Sequence, residues 1–196
     1  MISSRGIKPR LFASAWIGMI TMKQKKQEQK KQDRWFPVFC ITCIVLMAVN
    51  FFVVRLAVVQ GRSMNPTLWE GEYLVVWQLG YEPEAGDIVV INTSESWKER
   101  DHIVKRIIGL PGQSVTIDYD SNTVMVDEIL LEESYINYSE EDPMQPMEGQ
   151  EIVKYTVPEN CVFVLGDNRN HSSDSRNARY GMIPIADIMG KVVKVF

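Results

Sequence analysis

The sequence predicts a mainly β domain of barrel-like antiparallel sheets behind one N-terminal transmembrane α-helix. Three observations predict it. Residues 36–54 form a run of 19 residues without a charge. After Arg55 the apolar runs shorten to strand length and are punctuated by Gly, Pro, Asn and Asp. Between Gly61 and Phe196 no amphipathic stretch reaches convincing helical length.

The helix comes first. At about 1.5 Å rise per residue the uncharged run spans about 28 Å, close to the roughly 30 Å hydrocarbon core of a bilayer. Asn50 is its one strongly polar member. Trp35 marks one interface, and Arg55 can snorkel at the other. Residues 1–34 carry nine basic side chains against Glu28 and Asp33, whereas residues 56–196 carry 11 basic and 23 acidic ones, a net of −12. This asymmetry predicts a cytoplasmic basic tail (1–34), an anchor (35–59) and an outer domain (60–196). A cleaved signal peptide would have a shorter apolar core and a small-x-small site, and Val58-Val59-Gln60 is a poor one. Leu11 to Met22 is apolar but too short to span. Residues 1–21 do not favour an organelle transit peptide, and Met22 is a candidate start of translation.

Several functions are disfavoured by composition. The acidic outer domain argues against a nucleic-acid partner. Cys40 and Cys43 lie inside the apolar run and Cys161 stands alone, so the outer domain has no disulfide framework. His102 and His171 are the only histidines, and no metal-ligand spacing or cofactor motif is found. The dispersed acids read as a solvated face.

In the outer domain, strands are expected at 73–77, 87–91 and 102–108. Further ones are expected at 114–117 and 123–126, joined by the hairpin loop 118–122. Residues 151–157, 161–165 and 191–196 complete the set. Ser139 to Gln150, acidic with Pro143 and Pro146, reads as a mobile surface loop.

Three segments carry the chemistry. In Gly61-Arg62-Ser63-Met64-Asn65-Pro66-Thr67-Leu68, Gly61 lets the chain bend and Pro66 restricts Asn65. Ser63 on such a turn can offer a hydroxyl and its own N–H to one point. Alone this is an ordinary turn. Lys105 shares a strand face with Ile103 and Ile107. A desolvated lysine favours its neutral amine, which can take a serine proton; an edge-strand lysine that blunts aggregation is the plainer reading. His102 is a rival base, expected on the opposite face. The third segment, Gly166 to Arg176, follows an apolar strand and is dense in short polar side chains. It reads as a self-bonded loop in which a hydroxyl could hold the lysine.

Together these segments resemble bacterial type I signal peptidases of the Ser/Lys class. Ser63-Met64-x-Pro66-Thr67-Leu68 is similar to the nucleophile box. Lys105-Arg106-Ile107-x-Gly109-x-Pro111-Gly112 is similar to the general-base box, and Gly166-Asp167-Asn168-Arg169-x-x-Ser172-x-Asp174-Ser175-Arg176 to the C-terminal box. Gly86-Asp87-Ile88-Val89-Val90 completes the order, and the single anchor is similar to the Gram-positive form. The resemblance implies a serine endopeptidase that removes signal peptides from secretory preproteins after a small-x-small site such as Ala-x-Ala. It implies Ser63 as nucleophile, Lys105 as general base and Ser172 as the hydroxyl that orients Lys105. It implies Asp174 and Arg176 as a supporting ion pair with Asp167 and Arg106 nearby, and Met64 and Pro66 beside the serine. Gly61 stands where some members carry a serine that helps the oxyanion hole. Membrane phospholipid and a neighbouring secretion translocon are the implied surroundings, with Trp69 and Trp77 candidates for lipid contact. The competing reading is a catalytically inert, membrane-anchored β-domain that scaffolds secretion.

Overall fold

The computed structural model describes residues 9–93, 102–136, 142–146 and 152–196. The chain divides into two compact units, residues 1–49 and 50–196. Helix α1 runs Pro9–Phe52, so the Lys/Gln-rich stretch is helical together with the apolar run. Among the described residues no helix is long and apolar enough to cross a membrane. From Phe36 to Val49 the apolar side chains of α1 are mostly exposed.

The second unit is mainly β. Its strands are β1 (Val54–Val58), β2 (Tyr73–Trp77), β3 (Ile88–Asn92), β4 (His102–Gly109), β5 (Ser114–Asp118), β6 (Thr123–Val126), β7 (Ile129–Leu130), β8 (Ile152–Thr156), β9 (Cys161–Leu165), β10 (Ile183–Pro184) and β11 (Ile188–Val195). A seven-stranded sheet has the order β1-β2-β11-β3-β4-β9-β10, and a four-stranded sheet the order β7-β6-β5-β8. Each described pairing is antiparallel.

The expected strands form with ends shifted by a residue or a few. Three more were not anticipated. β7 and β10 are too short to show a period. β1 falls inside the apolar run assigned to the anchor: α1 ends at Phe52, and Val54 to Val58 pair with β2 in register Val54↔Trp77 to Val58↔Tyr73. A run buried in lipid and a run pairing in a sheet are equally apolar, so hydropathy cannot mark the boundary.

Three apolar clusters hold the second unit. One joins Ile108, Val115, Ile117, Val124 and Phe163. A second joins Val89, Ile91, Ile107, Val162 and Val164. The third contains Met64 and Leu68 with Leu74, Val76 and Val90, and so pins the segment after β1 onto the sheet. Of the loop expected to be mobile, residues 139–141 and 147–150 lie outside the described residues. Its middle is fixed. Met144 is buried in the first cluster, its N–H donates to Asn122 Oδ1 at 2.6 Å, and Asn170 Nδ2 donates to Asp142 Oδ1 at 3.0 Å.

Candidate active site

The chain turns after β1 through Gly61, whose φ of 83° lies in the left-handed region that favours glycine. Met64 and Leu68 bury their side chains below this turn. Ser63 is left half-buried on the wall of a cavity of about 950 Å³. Pro66, exposed and joined to Asn65 by a cis peptide bond, stays at the surface.

Lys105 arrives from the middle of β4, paired across to Val89. It is 3% exposed. Its Nζ lies 2.8 Å from Ser63 Oγ in hydrogen-bond contact, and donates to Val104 O at 2.9 Å. Two residues 42 positions apart in the chain are thus brought together. His102, expected on the opposite face, lines the same cavity, as does His171. Both are exposed, and the contact with Ser63 belongs to Lys105.

The loop after β9 holds this arrangement from behind. Asn168 N–H donates to Ser63 O at 3.0 Å, and Asn168 Nδ2 donates to Arg62 O at 3.1 Å. The serine's backbone is therefore gripped on two successive carbonyls. Gly166 passes so close that a Cβ there would lie 2.5 Å from Ser63 O and 2.2 Å from Ser172 Oγ. No side chain fits between them.

Ion pairs set this loop, two of them at residues the sequence reading named. Arg106 Nε and Nη2 donate to the two carboxylate oxygens of Asp167 at 2.9 and 2.7 Å, and Arg106 Nη1 donates to Gly86 O. Burial would lower the guanidinium's proton affinity, but Asp167 outweighs it and the net shift is upward. Arg176 Nε and Nη2 donate to Asp174 at 2.8 and 3.0 Å, with both side chains buried. Burial alone would raise the carboxyl of Asp174. The Arg176 charge and hydrogen bonds, with the Gly166 N–H, hold it below its ordinary value instead.

Ser172 departs from expectation. Its Oγ is buried and makes no hydrogen bond of ordinary geometry, although Asp174 lies near enough to feel it. The expected bond to Lys105 is not formed. Ser172 packs against Gly166 instead, and Val104 O takes an Nζ hydrogen.

Several residues at the site escaped the sequence reading. Asn168 and Arg169 lay inside a recognised segment, but nothing local named their partners. Arg169 is 2% exposed and forms a buried ion pair with Glu133. Tyr135 O–H donates to Glu133 Oε1 at 2.9 Å, and its ring lies 3.9 Å beneath the Arg106 guanidinium carbon. The acids read as a solvated face therefore include buried, paired ones: Asp87, Glu133, Asp167 and Asp174. Spacing could not reveal this, because each partner comes from a different strand or loop, or, for Asp174, from two residues along a folded loop. Among the described residues no three of His, Cys, Asp or Glu gather in a metal-ligating group.

A buried amine touching a half-buried serine at a cavity wall can do nucleophilic chemistry. The family model described as signal peptidase, peptidase S26, matches residues 32–196. Signal peptidase I of Bacillus caldolyticus is 37% identical over 176 residues, covering 85% of this chain and 91% of the relative. Signal peptidase I P of Bacillus subtilis subsp. natto is 35% identical over 179 residues, covering 87% and 93%. A crystal structure of a signal peptidase I from Enterococcus faecalis V583 is 28% identical, covers 58% of this chain and 98% of that one, and has a TM-score of 0.47.

Proposed function

This chain belongs to the signal peptidase family, peptidase S26, and we propose that Ser63 and Lys105 are the pair through which it works. The activity is removal of signal peptides from preproteins by a serine endopeptidase. The observation that carries the residue assignment is the 2.8 Å contact between a buried Lys105 Nζ and Ser63 Oγ.

Chemistry follows from that contact. Ser63 Oγ attacks the carbonyl carbon of the scissile peptide while its proton passes to the neutral Lys105 amine. The Ser63 N–H is the donor nearest in sequence to the developing oxyanion. Lys105 then gives the proton to the leaving amine, which departs as the new N-terminus of the mature protein. Water deprotonated by Lys105 attacks the acyl-enzyme, and Ser63 recovers its proton as the signal peptide leaves. Met64 and Pro66 flank the nucleophile. Asp167 with Arg106, and Asp174 with Arg176, keep the supporting loop in place, and Ser172 packs against that loop. The cut falls after a small-x-small site, as the family resemblance implies.

The proposal extends to topology: the uncharged run up to Phe52, the part of the predicted 35–59 anchor that β1 does not take, tethers the chain at the membrane, with the N-terminus cytoplasmic and the peptidase domain outside. Support comes from the uncharged run, its exposed apolar side chains and the charge asymmetry on either side of it. Phospholipid and a nearby translocon fit that placement. Tethering enzyme and preprotein to one surface raises their effective concentration. The inert-scaffold reading finds no support, since nucleophile and base are both present and in contact.

The test is cleavage of a preprotein with an Ala-x-Ala site, in detergent with phospholipid. Wild type, Ser63→Ala, Lys105→Ala and Lys105→Arg are compared. Processing by wild type alone is expected, with the arginine variant inert because a guanidinium stays protonated. Cleavage at the wild-type rate by any of the three variants removes the dyad.

A further inference from the structure

The short strap 131–136 follows β7, and its side chains reach arginines of the segments around the site. It lies outside the three sequence segments that carry the chemistry. Yet two of its side chains hold the arginines of two of those segments. Glu133 is buried and takes both ends of the Arg169 guanidinium: Arg169 Nη1 donates to Oε2 at 3.2 Å, and Nη2 to Oε1. Tyr135 spends its hydroxyl on Glu133 Oε1 and its ring face on Arg106.

The path from Arg169 to the nucleophile is short. Arg169 Nε donates to Gly166 O at 3.1 Å. Arg169 O accepts from Arg176 Nη2, which also binds Asp174. Asp174 in turn accepts the Gly166 N–H at 3.1 Å. Gly166 is therefore held at both its N–H and its C=O. It is also the residue wedged against Ser63 O, next to the Asp167-Asn168 pair that binds Arg106 and the Ser63 carbonyl.

We propose that the Glu133–Tyr135 strap is a positioning device for the dyad. It clamps Arg169 and Arg106 and so fixes the loop that sets Ser63 against Lys105. Glu133 and Tyr135 are positioning residues, since neither touches the reacting atoms. A pair this buried is costly to desolvate and adds little stability over an apolar substitute, so what it supplies is a unique geometry. The inference rests on the Ser63–Lys105 reading.

The experiment compares full-length wild type, Glu133→Gln and Tyr135→Phe in detergent and phospholipid, with kcat and KM for a preprotein and a melting curve for each. Assays run well below each variant's Tm, so the enzyme is folded. Glu133→Gln is expected to lose about 10- to 100-fold in kcat with KM within about twofold, because a displaced nucleophile costs rate rather than binding. Tyr135→Phe keeps the ring beneath Arg106 and loses only one hydrogen bond; a three- to tenfold loss in kcat is expected. Wild-type kcat in folded Glu133→Gln, with only Tm lowered, overturns the proposal. If Glu133→Gln does not fold, Tyr135→Phe decides by the same criterion. Ser63→Ala and Lys105→Ala run alongside keep the two readings apart. Activity in those variants refutes the dyad, whereas inert dyad variants beside a wild-type-like Glu133→Gln refute the strap alone.

Discussion

At the residue scale, Gly166 and Lys105 do the tightest work. Lys105 sits on β4 between Ile103 and Ile107, and alternation alone put it on an apolar face. That much was legible. Its contact with Ser63 was not, because Lys105 lies in the middle of β4 and Ser63 on the turn after β1, 42 positions apart, and only the folded sheet brings them together. Gly166 read as the first residue of a polar loop. Its close approach to Ser63 O and Ser172 appears only in three dimensions. Gly166→Ala is therefore expected to push the Ser63 carbonyl or Ser172 aside. Overpacking of this kind costs about 1–3 kcal/mol of stability. A shift of about 1 Å at the nucleophile costs about 100-fold in rate. Melting curves and kcat on a preprotein check both numbers, and an alanine variant with wild-type kcat would mean that the loop yields without moving Ser63.

At the element scale, the loop between β9 and β10 is a polar structure folded back on the sheet. Ser175 N–H donates to Val164 O, and Ser175 Oγ accepts the Val164 N–H, so the loop closes on its own strand. Its density of short polar side chains predicted a self-bonded loop. What remained hidden was how many of its charges are buried. The loop's stability should fall in acid. Asp174's carboxyl is held below the ordinary 3.8. A depressed carboxyl contributes stability that is complete above its unfolded value and is lost as pH falls through the folded one. Urea unfolding at pH 7, 4 and 3 should show the loss setting in below about pH 4. Asp174→Asn leaves Arg176 buried without its charge partner and is expected to cost about 3–5 kcal/mol at pH 7. It should also flatten the acid slope. An unchanged slope in that variant would show that another carboxyl carries the acid sensitivity.

For the whole molecule, the charge layout and the apolar run argue for a chain moored at a membrane. Along α1, Phe36, Phe39, Ile41, Ile44 and Leu46 are all more than 60% exposed. That uncharged stretch of α1, apolar on every side, suits lipid better than water. Alkaline carbonate treatment of expressing membranes should leave the full chain in the pellet. Protease added outside spheroplasts should remove the β unit and spare an N-terminal tag. Release of the intact chain by carbonate would end the single-anchor reading.

What the sequence determined by itself is local or periodic. The mainly β class, the strand faces and the polar loop follow from short-range alternation and turn chemistry. The resemblance to signal peptidases rests on ordered residue types, which are also local. The tertiary structure alone decided which of those residues meet. It gave β1 to the sheet and left the Ser172 hydroxyl against Gly166 without a hydrogen bond of ordinary geometry. It buried Glu133, Asp167 and Asp174 against arginines, and used Asn168 and Gly166 to fix the backbone of Ser63. Each of these is a contact set by how the antiparallel sheets curl and pack. A one-dimensional period carries no information about which loop will face which strand.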